Sequence, residues 1–390
     1  MYLESRHRFI TLILQSFIVA LTLNLIATRA GADSGLIRVG DGRQSYEGKI
    51  VALTASTCCL MDRQGKLVSI PVASLNKFEK LAERFTPASI SVLRDELLRE
   101  FPGRYEVAGT THYLVCAPVG KASQYGQLFE SIYRDVEQFY RVRRFDVRPP
   151  EVPLVAVVFG TQAEFFSYCY RDHVPPSPTL RGYYSLNTNR VALYDDSALV
   201  SGAAPVSSEL NLNPRWTSSA RSLAKISGDT HNTIVHETTH QVSYNIGIHS
   251  RLGGTPVWIS EGLATVLEPV GMRSRSGRQL LDGRINTERA VWFQERHRPS
   301  RHSGNLALLV ASDDFFYRET LNSYSEAWAF TFFLLENPSR RQDLVKYLQL
   351  LAGRDPLKEY SPKERLSDFK DVFGDVARLE VEFIRFMDRM

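Results

Sequence analysis

Two histidines four residues apart with a glutamate between them, His236-Glu237-Thr238-Thr239-His240, constrain this chain more than any other feature. The spacing predicts a helix, because residues i and i+4 lie one above the other there and both imidazoles reach one metal ion. Glu237 projects about 100° round the same helix, where it meets water rather than the metal. Ile234, Thr238 and Val242, flanked by Val235 and Ile246, form an apolar stripe that buries another side. Gly228-Asp229-Thr230 marks the start of this helix, with Asp229 as its N-cap, and Asn245-Ile-Gly247 marks its end. Twenty-one residues after His240, the segment Trp258-Ile-Ser-Glu-Gly-Leu-Ala places Glu261 on a second predicted helix that Pro256 can start. Two histidines, one distal glutamate and an open fourth position are the ligand set of a catalytic zinc ion. Glu268 repeats a carboxylate seven residues after Glu261. It is either a hydrogen-bond partner for the free nitrogen of a ligand histidine or an ordinary surface glutamate.

The first thirty-two residues differ from the rest. Arg6, His7 and Arg8 precede an uncharged, mostly apolar run from Phe9 to Ile26, and Ala30-Gly31-Ala32 offers the small residues of a cleavage site. Residues 1–32 are therefore expected to be a signal peptide, an uncleaved anchor being the alternative, and the mature protein to be exported without stable membrane insertion. Export permits disulfides among Cys58, Cys59, Cys116 and Cys169, but four cysteines allow three pairings, and buried free thiols are the other reading. A net charge of +4 over 390 residues is too mild to argue for nucleic acid. With 43% hydrophobic and 23% charged residues the composition is that of an ordinary globular protein.

Along the chain the expected fold class is α+β. Residues 33–84 read as a small all-β barrel: Tyr46-Glu-Gly-Lys-Ile-Val-Ala-Leu alternates, Thr57-Cys-Cys-Leu-Met-Asp follows, and a turn at Gln64-Gly-Lys leads into Leu67-Val-Ser-Ile-Pro-Val. Asn76 to Glu83 is read as a closing helix. Residues 85–104 form a linker helix, and 105–390 a main domain with a small sheet and a mostly helical carboxy-terminal half. Tyr105 to Ala117 reads as one strand, Ala122 to Arg141 as a helix, Val152 to Phe159 as a fully buried strand, and Gly182 to Tyr194 as a hairpin. Two loops stand out. Residues 196–222 run directly up to the histidine helix. Residues 271–302 carry eight arginines and two histidines, read as a solvated arm with recognition of an acidic polymer as the sharper alternative.

The G-x-I-V strand, D-x-x-G-K turn and V-x-I-P-V-x-x-L segment of residues 36–75 resemble the Src-homology-3-like modules of bacterial secreted proteins, a resemblance that names no ligand. Ser243 and Ile246 stand where a metzincin carries glycine and histidine. The order strand, HExxH helix, W-x-x-E-G-x-A instead resembles the gluzincin clan of zinc metallopeptidases. Residues 105–390 are most similar to a poorly characterised gluzincin-like family, through His112-Tyr113, Gly182-Tyr-Tyr, His236-Glu-Thr-Thr-His240-Gln, Pro256-x-Trp-x-x-Glu-Gly-Leu-Ala and Tyr324-Ser-Glu-Ala-Trp-Ala. The aminopeptidase motif G-A-M-E-N is absent. The resemblance implies a zincin-like fold and a peptidase site without supplying a substrate. His236, His240 and Glu261 are then the expected Zn²⁺ ligands, and Glu237 the general base towards a zinc-activated water in cleavage of a peptide or protein substrate, as an endopeptidase. Gluzincins add a phenol or imidazole donor for the oxyanion. Tyr324 occupies that place in chain order, with Tyr183, Tyr184 and His231 as weaker candidates. The alternative function is an envelope-associated binding protein with a structural or vestigial zinc site.

Overall fold

A computed structural model describes residues 35–195, 228–274 and 280–390. The expected signal peptide, the 196–222 loop and the Asp229 side chain lie outside the described residues. The chain divides into two compact units. The first comprises the described residues up to Gly103 with Glu151–Leu154 and Ser185–Arg190; the second comprises Arg104–Pro150, Val155–Tyr184 and the described residues from Val191 on.

In the first unit, strands β1 (Leu36–Gly40), β2 (Ser45–Leu53), β3 (Thr57–Met61), β4 (Leu67–Pro71) and β5 (Lys77–Ala82) form one antiparallel sheet in the order β4-β3-β2-β1-β5. Ile37, Val39, Ile50, Cys58, Leu60, Ile70, Val72 and Leu75 form its core. Two expectations need correction here. The segment Asn76 to Glu83 is not helical: Lys77–Ala82 pairs with β1, and alternation puts Phe78 against the core while Lys77 and Glu79 face solvent. Nor is the sheet a closed barrel, because its end strands β4 and β5 each pair on one side only. Cys58, Cys59, Cys116 and Cys169 are all buried free thiols, and burial pushes Cys58 up to about 11. Helix α1 (Ile90–Glu100) follows, capped by the Ser89 hydroxyl.

The second unit carries a five-stranded sheet in the order β6-β7-β8-β10-β9, made of β6 (Tyr105–Gly109), β7 (Tyr113–Pro118), β8 (Leu154–Phe159), β9 (Gly182–Tyr184) and β10 (Arg190–Tyr194). The single strand read over Tyr105 to Ala117 is in fact the β6-β7 hairpin. The Thr110 hydroxyl accepts from the Tyr113 N–H to make a turn that no glycine-rich dipeptide announces. Helices α2 (Ala122–Val142) and α3 (Gln162–Arg171) accompany this sheet, α3 starting at the Thr161 cap. All six residues of β8 are buried, as its unbroken apolar run requires.

The rest is helical: α4 (Gly228–Asn245), α5 (Val257–Val266), α6 (Thr287–Trp292, continuing in a π-turn Phe293–His297), α7 (Thr320–Glu336), α8 (Pro338–Ala352), α9 (Pro362–Phe373) and α10 (Val376–Met387), with short helical turns between them. Helix α7 is buried almost all round, and Trp328, Phe330, Phe332 and Phe333 make it the hub of this half. Trp258 of α5 has no exposed surface and packs with Phe330, Tyr347 and Phe369. Among the described residues no helix is long and apolar enough to cross a membrane.

Among the described residues, Arg273, Arg284 and Arg301 of the 271–302 segment are tied into the fold rather than solvated. Arg273 is buried and donates to the Leu267 carbonyl at 2.7 Å, and Arg284 bridges to Glu336 at 2.9 Å. Arg301 spans Glu326 and Glu380 at 2.6 Å each, and His297 bonds the same Glu326 carboxylate. Arg273, Arg284 and Arg301 thus each have a carboxylate or carbonyl partner, as burial of charge demands. The sequence could not separate these ties from a solvated run, because the carboxylate partners of Arg284 and Arg301 lie 25 to 79 residues away.

Gly262 explains why the segment after Glu261 reads Glu-Gly. A Cβ at this position would lie 2.2 Å from the Thr331 hydroxyl and 2.8 Å from the Ala327 carbonyl of α7. Only a bare Cα lets α5 seat on α7. Gly262→Ala is expected to lower the unfolding free energy by about 1–3 kcal/mol, the cost of overpacking. Denaturant titration of the full chain reads this, and unchanged stability would contradict the packing.

Candidate metal centre

Helix α4 is fixed in rotation by residues outside its histidine motif. The Gln241 side-chain amide donates to the Val155 carbonyl of β8 at 3.0 Å, and the Tyr140 hydroxyl of α2 meets Ser243 at 2.9 Å. Ile234, Val235, Thr238, Val242 and Ile246 are buried, as the apolar stripe predicts. The opposite side turns His236 and Glu237 into a cleft of about 440 Å³, with Tyr324 of α7 also in its wall. Gly182 of the edge strand β9 closes another side; a Cβ there would come within 2.8 Å of Thr233, so the glycine lets the strand lie against α4.

His236, His240 and Glu261 converge, each offering one ligand atom, with all three within 4.8 Å of one another. His236 Nε2 lies 3.1 Å from His240 Nε2 and 3.3 Å from Glu261 Oε2, and His240 Nε2 lies 3.4 Å from Glu261 Oε1. Among the described residues Glu261 Oε2 is buried without a hydrogen-bond partner. His236 Nδ1 faces Glu268 Oε1 at 2.9 Å, which fixes that nitrogen as the protonated one and leaves the Nε2 lone pair aimed at the cluster. Two imidazole nitrogens and a carboxylate oxygen directed at one point suit a borderline divalent cation such as zinc. The charges agree: three carboxylates, Glu237, Glu261 and Glu268, surround two imidazoles in a mostly buried place. Burial opposes a charged His236, yet the carboxylates of Glu261 and Glu268 outweigh it and raise its pKa well above the usual histidine value. Burial likewise opposes a charged Glu261, but His240 and His236 hold its carboxyl far below the ordinary range. The pocket calls for positive charge.

Glu237 stands apart from the three. Burial raises its pKa, partly offset by the neighbouring histidines, and the Tyr184 backbone N–H of β9 donates to its carboxylate. Tyr324 lies against Glu261: burial first, then the charges of Glu261 and Glu237, push its phenol far above the usual tyrosine range. It is therefore a proton donor throughout the physiological range. The three weaker candidates are otherwise engaged. Tyr183 donates to Asp172 at 2.9 Å, the Tyr184 hydroxyl accepts from Asn245 at 3.4 Å, and His231, whose pKa is lowered by burial and by Arg273, does not line the cleft.

Three residues emerge that the sequence did not single out for roles. His249 is buried, lies tilted against Tyr244 with ring centroids 5.0 Å apart, and has no partner for either ring nitrogen among the described residues. Burial and His240 keep it neutral, its pKa down to about 3. Asn286 caps α6 by accepting from the Arg289 N–H at 3.2 Å, while its amide donates to Glu268 Oε2 at 2.6 Å and to the Thr265 carbonyl at 3.1 Å. The chain His236–Glu268–Asn286 thus ties a histidine of the cluster to the start of α6, where Arg289 enters the cleft wall. An asparagine before Thr-Glu-Arg is a legible cap; its contact with Glu268, eighteen residues earlier, is not.

Residues 230–358 match the family described as "Protein of unknown function (DUF1570)". The matched stretch covers about a third of the chain and contains His236, Glu237, His240, Glu261, Glu268, Asn286, Arg289 and Tyr324, so the whole cluster falls within one family-level unit. The description assigns it no activity. No curated protein matches the chain.

Glu268 Oε1 hydrogen-bonds His236 Nδ1. Glu268→Ala is expected to weaken zinc binding about 10- to 100-fold, the usual cost of losing the partner that orients a ligand histidine. Competition with a chromogenic chelator measures this. Unchanged affinity would return Glu268 to a purely structural role.

Proposed function

We propose that this protein is an exported zinc-dependent hydrolase of peptide bonds, of the gluzincin type, with a zincin-like catalytic domain. The observation that carries this reading is the convergence of His236, His240 and Glu261, with His236 and the neighbouring Glu237 in the wall of a cleft. His236 and His240 through Nε2 and Glu261 through its carboxylate would hold the ion, oriented by Glu268. When bound, zinc supplies Lewis acidity to the scissile carbonyl and acidity to the attacking water.

The remaining work belongs to side chains. Glu237 accepts the proton of the attacking water at its carboxylate and returns it to the leaving nitrogen. Its raised pKa suits both halves of that task, since a carboxyl nearer neutrality gives the proton back more readily. The Tyr184 N–H holds the carboxylate in place. Tyr324, kept protonated, donates its hydroxyl to the developing oxyanion. A purely structural zinc site is closed by four protein ligands; a three-residue cluster beside a cleft with Glu237 poised nearby favours turnover over the binding-protein reading.

Residues 1–32 carry the export reading. Metal dependence tests the hydrolase reading: chelation is expected to abolish peptide turnover, and stoichiometric zinc to restore it. Turnover that persists after complete metal removal would contradict it.

A further inference from the structure

Arg289 differs from the buried and half-buried arginines described around it. Its side chain is only 20% exposed, yet among the described residues it makes no side-chain hydrogen bond, and its Nε is buried without a partner. Among the described residues its one ion pair is with Glu288 at 3.8 Å, and Glu288 is 79% exposed, so water screens that contact. Arg273, Arg284 and Arg301 all bond carboxylates or carbonyls. A mostly buried guanidinium left unpaired is costly unless something arrives to pair with it.

Its position says what that something meets. Arg289 lines the same cleft as His236, Glu237 and Tyr324. Its Cζ sits 5.5 Å from the centroid of the Tyr324 ring, whose hydroxyl lies against Glu261. A peptide advances about 3.3 Å per residue, so a group at Arg289 belongs to a residue within about two of the bond presented to the metal cluster. The Asn286 cap holds the first turn of α6 and so fixes where Arg289 starts, through the same Glu268 that orients His236.

We infer that Arg289 is a specificity-determining residue that receives a carboxylate of the substrate, either an acidic side chain or a free carboxy terminus, beside the reacting bond. The planar guanidinium presents paired donors that match a carboxylate, while its other face stays on Tyr324. This inference rests on the hydrolase reading for the nature of its ligand, but its test does not need turnover.

Zinc-loaded full-length Glu237→Gln protein is titrated with alanine-rich octapeptides scanning one Glu through every position, each with a Gln twin and a carboxy-terminally amidated twin. At least one placement is expected to bind about tenfold more tightly than its neutral twin, the scale of a partly buried charge-assisted pair. The Gln series and the amidated series separate the side-chain source from the chain terminus. Arg289→Met is expected to bring that ratio close to one, and Arg289→Lys to keep part of it. Equal binding of all twins to the parent protein, or no binding of any, overturns the inference without reference to any Arg289 variant. A ratio that survives in Arg289→Met overturns it as well. If the carboxylate preference is found but the wild-type protein hydrolyses no peptide, the carboxylate site stands and the hydrolase reading falls. If peptides are hydrolysed but the twins bind alike, the reverse holds.

Discussion

Glu237→Gln is expected to lower kcat for peptide hydrolysis by about 100- to 10,000-fold, the usual contribution of a positioned general base, while zinc stoichiometry stays the same. The substitution is nearly isosteric, and the Gln oxygen can still accept from the Tyr184 N–H, so the side chain keeps its place. What is lost is the ability to take a proton from water. Glu237 is not among the three converging ligand atoms, which is why metal content separates this effect from damage to the site. A variant that loses both zinc and activity would mean that Glu237 supports the ligands rather than the chemistry. A variant that keeps full activity would sink the mechanism.

The second large effect is on stability. Trp258→Ala is expected to cost about 3–5 kcal/mol, the range for truncating a fully buried aromatic. Trp258 has no exposed surface and joins α5 to Phe330 of α7, Tyr347 of α8 and Phe369 of α9. It lies one turn before Glu261 on the same helix, so the cavity loosens the element that carries the third member of the His-His-Glu cluster. Weaker zinc binding should accompany the loss of stability. Guanidinium titration followed by circular dichroism, with a parallel zinc competition assay, reads both. Unfolding unchanged within about 0.5 kcal/mol would show that α5 is held by something other than this aromatic cluster.

How much of this was legible in the sequence follows the range of the interactions. His236 and His240 are four apart on one helix, and that local geometry suffices to bring them together. Glu261 was found because a second helix with its own motif follows closely, although the glycine that seats this helix on α7 reveals its purpose only against Thr331. Glu268 gave no more than an even choice; its bond to His236 settles its contact. Errors arose where pairing is non-local. Lys77–Ala82 carries charges that suit an exposed helix, but β1 offers it a ladder, and Phe78 completes the core. Closure of the barrel depended on whether β4 and β5 meet, which no residue within either strand encodes. The arginines of 271–302 looked like one charged run because Glu326, Glu336 and Glu380 are distant in sequence. Asn286 and Arg289 stayed hidden for the same reason.

The central claim, that this cleft hydrolyses peptide bonds, is tested most directly by mass-spectrometric detection of new termini after a diverse peptide library meets the zinc-loaded full-length protein. The account predicts new termini with the wild-type protein that are absent with Glu237→Gln. Identical digests from the two proteins, cleaved alike or not at all, would contradict it.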